Sequence, residues 1–546
     1  MKKNLTILLI LCILLLTSCS YKTGAYNKDK GIIDNDDIYE DEAINSVKEL
    51  YITVMPSEDQ SHEYKYTFEE LNENIDEKLE VRVLLQEGKD GVIRPGDFGY
   101  GLTDANGKMR LRGQSAKTAE QKSYRVKLDK EAGLWDSYRV VNLNKHAFDY
   151  TRTRNKLTFD YLQDIPAINS LRNQFVHVYI KDLSKGNFNE KFKDYGLFTN
   201  IENVDTTFLK NHKLDTKASL YKVENFEFYR YKESIKLKTD PEYDIEEFEK
   251  ILEIKGNDDH QKLINMLEDV NNESIHINDV ISKYFDRENY ITWMALNILT
   301  DNIDIGSRNF YLYSPSNENK WYFLPWDYDK GWGGYHYSRG KWQEGASIYW
   351  GGVLHKRFLK NKENVKELSE KIEYLSKNII TEERTNELLA QYRPILNYYL
   401  SREPDSLDKS ISLEKLEKEL QEMPKSIEKN KETYYKSLEK PMPVFMDEPL
   451  KIGGQYVFKW TKSYDLQGDL IEYNIDISDS PEFETIIYHK DGIVDTEQIV
   501  NGLDLGKYYW RLQIKDSNGN IQDAFDIYRN EKTLKYYFSI QPFYVH

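Results

Sequence analysis

Hydrophobic and polar positions alternate along the chain from Val47 to Leu128. Residues 50–55, 79–85, 109–113 and 123–128 each repeat with a period near two. Successive side chains of a strand point to opposite faces, so each segment predicts a half-buried β-strand. Asn106-Gly107 predicts a tight hairpin turn, because both residue types tolerate a left-handed backbone. Residues 149–164 switch to helical spacing, with Asp149 as N-cap and Leu157 and Tyr161 four apart on one face. Strands return at 173–180 and 195–201, and residues 243–300 and 361–437 are mainly helical. Between those helical stretches one helix ends near Thr300. A polar loop holding Asp301 and Asp304 leads to strands at 309–313 and 321–324. Pro441-Met442-Pro443 breaks the pattern, and the short strands and regular turns after it predict a small β-sandwich. The expected fold class is α+β, with a main domain at 47–440 and the sandwich at 441–546.

At 546 residues the chain is too long for one core. Its 39% hydrophobic and 31% charged residues are ordinary for a globular protein, and its 42 tyrosines suit β-rich, partly wet packing. The formal net charge of −17 argues against a nucleic-acid partner, because an acidic surface repels phosphate backbones. A local basic pocket for a nucleotide phosphate is compatible with it.

Residues 1–19 have a basic start at Lys2 and Lys3 and an apolar run from Leu5 to Leu16, interrupted by Thr6 and Cys12. This predicts a secretion signal rather than a spanning helix. Leu16-Thr17-Ser18-Cys19 resembles the bacterial lipobox. That resemblance implies a lipid on Cys19 and an extracytoplasmic protein anchored to the outer face of the cytoplasmic membrane. Two acyl chains would contribute about 0.8 kcal/mol per buried methylene. Residues 20–46 are rich in Asp, Lys, Asn and Gly, which predicts a flexible tether. Both cysteines, Cys12 and Cys19, lie in the first 20 residues, so the folded body holds no disulfide.

The densest chemistry lies in residues 296–334. Phosphoryl transfer needs a carboxylate to orient the acceptor hydroxyl and take its proton. It also needs an amide oxygen and a second carboxylate to hold Mg²⁺ across the phosphates. Asp304 and Asn309 have the five-residue spacing of a kinase catalytic loop, and Asp327 stands at the end of the following hairpin. The gap from Asn309 to Asp327 is longer than in standard kinases. The chain has no HExxH or HxH pair and no Walker A lysine motif, which argues against a zinc hydrolase or a P-loop enzyme.

Asp304, Asn309-Phe310-Tyr311-Leu312-Tyr313 and Pro325-Trp326-Asp327-Tyr328-Asp329 resemble the signature of the CotH kinase family, the spore-coat-protein type of atypical kinase. Arg112-Gly113-Gln114-Ser115, Lys122-Ser123-Tyr124-Arg125-Val126-Lys127 and Tyr195-Gly196 through Asp205 match further family segments in order. Asn142-Leu143-Asn144, followed by the helix carrying Arg152 and Asn155, matches another. The resemblance spans roughly residues 48–400. It implies an atypical, two-lobed protein-kinase-like domain that uses ATP and Mg²⁺ (or Mn²⁺) to phosphorylate Ser or Thr of a cell- or spore-surface protein. It gives Asp304 the general-base role, with Asp301 as rival. Asp327 and Asn309 become metal ligands, with Asp329 a further one. Arg112, Gly113, Ser115 and a lysine would meet the nucleotide. The lysine is Lys122, if the strand already starts there, or Lys127. Arg112 is either a phosphate ligand or half of a structural ion pair. Helix 149–164 contains no Glu to pair with the lysine; Glu202 would supply that partner or bind the ribose. Residues 507–520 resemble the late strand and turn of fibronectin type III domains, which implies a spacing or adhesive role for the C-terminal part. The competing function is a non-catalytic surface scaffold, a pseudokinase, which the exported location favours because ATP is scarce outside cells.

Overall fold

The computed structural model describes residues 34–39, 44–57, 64–75, 78–334, 338–408 and 412–546. The leader, Cys19 and most of the expected tether lie outside the described residues. The chain is a mixed α/β protein. Seven strands close a barrel: β1 (Val47–Val54), β2 (Val81–Gly88), β3 (Gly107–Leu111), β4 (Tyr124–Leu128), β5 (Val140–Asn144), β6 (Asn173–Asp182) and β7 (Lys193–Ile201), in the order β1-β2-β3-β4-β5-β7-β6. Closure is made by the parallel pairing of β1 with β6, and every other ladder is antiparallel. Alternation fills the inside: Met109, Leu111, Tyr124, Val126 and Leu128 point inward. Arg110 and Arg125, outward, face each other across β3 and β4. Strand β6 is buried on both faces, because Val176 and Val178 belong to the barrel core while Phe175 packs into the helical core.

Asn106-Gly107 is not the hairpin turn the sequence predicts. The Asn106 side chain pairs like a strand residue, accepting from Leu85 N at 2.8 Å and donating to Leu85 O at 2.8 Å. Gly107 begins β3 because the carbonyl of Lys127 passes 2.9 Å from where a Cβ would stand.

The helical body begins with α1 (Arg154–Leu162), shorter than expected, although Asp149 does accept from Arg154 N at 3.0 Å. Strands β8 (Ser219–Val223), β9 (Leu252–Ile254), β10 (Phe310–Ser314) and β11 (Tyr322–Pro325) form a sheet in the order β11-β10-β8-β9. β9 interrupts a stretch whose spacing predicts mainly helix. Helix α2 (Arg287–Leu299) is capped by Asp286, which accepts from Asn289 N at 2.8 Å. From Asn289 to Leu299 every residue of α2 is buried, as expected for a helix at the centre of a core. Helices α3 (Lys362–Asn378), α4 (Glu382–Leu400), α5 (Leu413–Glu422) and α6 (Ser426–Leu438) complete this part.

After α6, β12 (Leu450–Ile452), β13 (Gln455–Lys459) and β16 (Glu497–Val500) form one sheet. β14 (Ile471–Ser478), β15 (Tyr488–Ile493), β17 (Gly506–Asp516), β18 (Ile521–Asp523) and β19 (Ile540–Val545) form another. Both sheets contribute to a separate core around Phe458, Ile475 and Trp510.

Residues 34–39 depart from the tether reading. Asp34 bonds His212 Nδ1 at 2.6 Å, Asn35 Nδ2 donates to Asn211 O at 2.9 Å and the Tyr39 hydroxyl donates to Asp34 at 2.7 Å. This docking is polar and long-range, so hydrophobic patterning carries no trace of it.

Candidate active site

The site lies where the barrel meets the end of α2 and the β10–β11 hairpin. Leaving α2, the chain turns through Asp301 in a left-handed conformation (φ 52°) and makes one 3-10 turn at Ile303–Ile305, which carries Asp304. Asn309, also left-handed (φ 63°), donates its Nδ2 to the Asp304 carbonyl at 2.9 Å and leads into β10. That bond fixes the loop and leaves Asn309 Oδ1 as a free acceptor among the described residues.

β10 and β11 pair antiparallel, with Phe310 opposite Pro325. β11 is an edge strand whose backbone would otherwise lack partners. Asn289 of α2 covers it, accepting from Phe323 N at 2.7 Å and donating to Phe323 O at 3.1 Å. β11 ends in Pro325, tolerable at an edge, and the next turn puts Asp327 at φ 59°. Asn155 of α1 holds this turn, accepting from Tyr328 N at 2.6 Å and hydrogen bonding to the Asp327 carboxylate. Asn302 Nδ2 adds a bond to the Asp327 carbonyl at 3.3 Å.

The charges converge. Lys330 Nζ sits 3.0 Å from Asp304 Oδ2. Burial pushes Asp327 above the usual carboxylate range; the Arg112 charge opposes this and Asp304 adds to it. Burial also pushes Asp329 well up, reinforced by the neighbouring charge on Asp327. For Lys330, burial works against its charge, but Asp304 and then Asp329 and Asp327 more than offset it, so its pKa is raised. Burial pulls the Arg112 guanidinium down to about 10, against the pull of Asp327 and Asp329. Arg112 lies 5.5 Å from the ring of Trp326, which meets Tyr311 edge-on at 5.4 Å. The charge of Asp304 thus acts on Asp327, and both act on Asp329, so the three carboxylates share one field.

The structure thus places Asp304, Asp327 and Asp329 in one electrostatic field, with Arg112 acting on the last two and Asn309 tied to the Asp304 carbonyl. Gly113 (φ 87°) and Ser115 lie beside them in chain order, in the exposed turn after β3. Asp301 is drawn elsewhere, 2.8 Å from Arg339. Three expected contacts fall out differently. β4 starts at Tyr124, so Lys122 precedes it and donates to Lys117 O at 2.6 Å, while Lys127 is exposed on the barrel exterior. The cations that act on Asp327 are Arg112 and Lys330. Glu202 is held in a different buried cluster, 3.2 Å from Arg172 and 2.9 Å from His212, so it pairs with neither lysine. The sequence reading missed Lys330, whose only signal is adjacency to Asp329. It also gave no role to Arg125, which shares the outer barrel face with Arg110 and belongs to the field around Arg112.

An arginine after barrel strand β3 is thus set against a hairpin carrying buried carboxylates. The chain belongs to the CotH kinase protein family, which it matches over residues 109–434. It is also similar to the inner spore coat protein H of Bacillus subtilis (strain 168), at 24% identity over 226 residues, which is 41% of this chain and 58% of that protein. The chain therefore spans less than two thirds of that relative's length. All of Asp304, Asn309, Asp327, Asp329 and Arg112 fall inside the family match, and the C-terminal strands fall outside it.

Proposed function

We propose that this protein is an atypical kinase that transfers the γ-phosphoryl group of ATP to a Ser or Thr hydroxyl of a coat or cell-surface protein. The barrel and the helical body act as its two lobes, with the nucleotide between them. The observation that carries this is the grouping of Asp304, Asp327 and Asp329 around Lys330, with Arg112 acting on Asp327 and Asp329. In this reading Asp304 accepts the hydroxyl proton while Lys330 holds its carboxylate in place. The hydroxyl oxygen bonds to the γ-phosphorus, the bond from that phosphorus to the β–γ bridging oxygen breaks, and ADP leaves. Asp327, Asp329 and Asn309 Oδ1 would hold Mg²⁺, which supplies neutralisation of phosphate charge. Arg112, with Arg125 and Arg110 on the same barrel face, would take the phosphates. Arginines opposed across two strands repel each other, and a polyanion offsets that cost. Glycine at position 113 keeps the turn open to phosphate, since its φ of 87° strains any other residue.

The rest of the reading concerns placement. Residues 1–19 would be a lipoprotein leader with the lipid on Cys19, 47–440 the kinase domain, and 441–546 a fibronectin type III-like spacer. Such an anchor would hold the enzyme on the outer face of the membrane. The relative's name supports a coat or surface substrate. Transfer of label from γ-labelled ATP to a generic acceptor tests the activity. No transfer together with no effect of Mg-ATP on melting temperature would instead mark a scaffold.

A further inference from the structure

Asp465, Asp469 and Asp516 meet at the start of the C-terminal strands, far in sequence from the carboxylates above. One carboxylate oxygen of each lies within 4.8 Å of those of the other two. Asp465 and Asp516 are 6% and 2% exposed, and Asp469 is half-buried. No lysine, arginine or histidine among the described residues makes an ion pair with any of them; their hydrogen bonds come from amides and one hydroxyl. Asp465 Oδ1 is saturated by Gln467 N, Gly468 N and Asp469 N at 2.9, 2.8 and 3.0 Å. Its Oδ2 is buried and has no partner among the described residues. A buried carboxylate oxygen without a donor costs several kcal/mol, of the order of 1–3 and more for a charged group, and two neighbouring carboxylates add repulsion. A cation removes both costs. The donors are all oxygens, which excludes the preferences of zinc and copper and suits calcium.

The position gives such an ion a consequence. The loop carrying Asp465 and Asp469 also sends Gln467 Nε2 to Leu438 O at 3.1 Å. The turn after Asp516 sends Asn520 Nδ2 to Glu439 O at 3.0 Å. These are the last carbonyls of α6, where the helical body hands over to the C-terminal strands. Met442 N and Tyr464 O close the same seam at 2.8 Å.

We propose that Asp465, Asp469 and Asp516 bind a calcium ion that locks the C-terminal strands to the end of α6. The ion is independent of the Mg²⁺ set at Asp327. Calcium titrated calorimetrically into the purified chain gives one equivalent with Kd on the order of 10⁻⁴–10⁻³ M, the range of extracellular calcium modules. Asp469→Asn removes that heat while leaving the calcium-free melting temperature unchanged, and Asp327→Asn keeps it. Calcium also slows hydrogen exchange of the Met442 amide in the parent chain and not in Asp469→Asn. Heat that survives Asp469→Asn overturns the site, as does the absence of heat up to about 10 mM, beyond the weakest such affinities. Binding that leaves Met442 exchange unchanged overturns the lock.

Discussion

Arg112 stands in surroundings that disfavour its charge, between the Trp326 ring and the carboxylates of Asp327 and Asp329. A structural ion pair would answer that burden with one close carboxylate. Arg112 has the like charge of Arg125 nearby instead, and no ion-pair partner among the described residues. On this account Arg112→Ala raises the KM for Mg-ATP about 10- to 100-fold, the worth of a charge-assisted hydrogen bond of ~1.5–3 kcal/mol, with a smaller change in kcat. Arg112→Lys fails to restore it, because a lysine lacks the planar fork that grips two phosphate oxygens. Asp304→Ala does the reverse: kcat falls about 10²- to 10⁴-fold and nucleotide affinity holds, as befits a general base. Steady-state kinetics on the three variants separate these outcomes. Asp304, Asn309 and Asp327 were legible in the sequence because one loop and one hairpin carry all three. The choice of lysine was not, because it depends on where a strand begins. Two residues of delay in β4 leave Lys122 in the preceding loop, and the outward face at the site carries Arg125 instead.

At the scale of elements, the hairpin that presents Asp327 depends on Asn289, whose amide closes both backbone groups of Phe323. Asn289→Ala leaves two buried polar groups unpaired. It is expected to cost about 1–3 kcal/mol for each group, read as a fall in the denaturation midpoint, with activity falling in parallel. The docked segment 34–39 carries a pH dependence. Burial pulls His212 down, but the charges of Glu202 and Asp34 prevail and push it up to about 9. Burial raises Glu202, yet His212 and Arg172 bring it down to about 2. The His212 contribution is complete below its unfolded value near 6.5 and is lost as pH rises through 9. The Glu202 contribution is present above about 4.5 and is lost as pH falls toward 2. Melting temperature should therefore plateau between about pH 4.5 and 6.5 and decline on both sides. His212→Gln removes the alkaline decline. Neither this cluster nor β9 was readable from local pattern. The cluster joins residues 178 apart in sequence, and β9 is three residues long among helices.

At the scale of the whole molecule, the three largest cores among the described residues follow chain order: the barrel, the helical body around α2, and the C-terminal strands. Alternation and helical spacing marked the strands and helices of all three, because each has one apolar face to bury. Closure of seven strands into a barrel was not marked, since it rests on the parallel pairing of β1 with β6 across more than a hundred residues. That closure sets β3 and β4, with their arginines, opposite the β10–β11 hairpin, and the site exists only through that meeting. Label transfer from γ-labelled ATP, with Mg²⁺ and a generic protein acceptor, tests this meeting most directly when the parent chain is run beside Asp304→Ala and Asp327→Ala. The account predicts label on acceptor serine or threonine in the parent and none in either variant. Equal labelling in all three would contradict it.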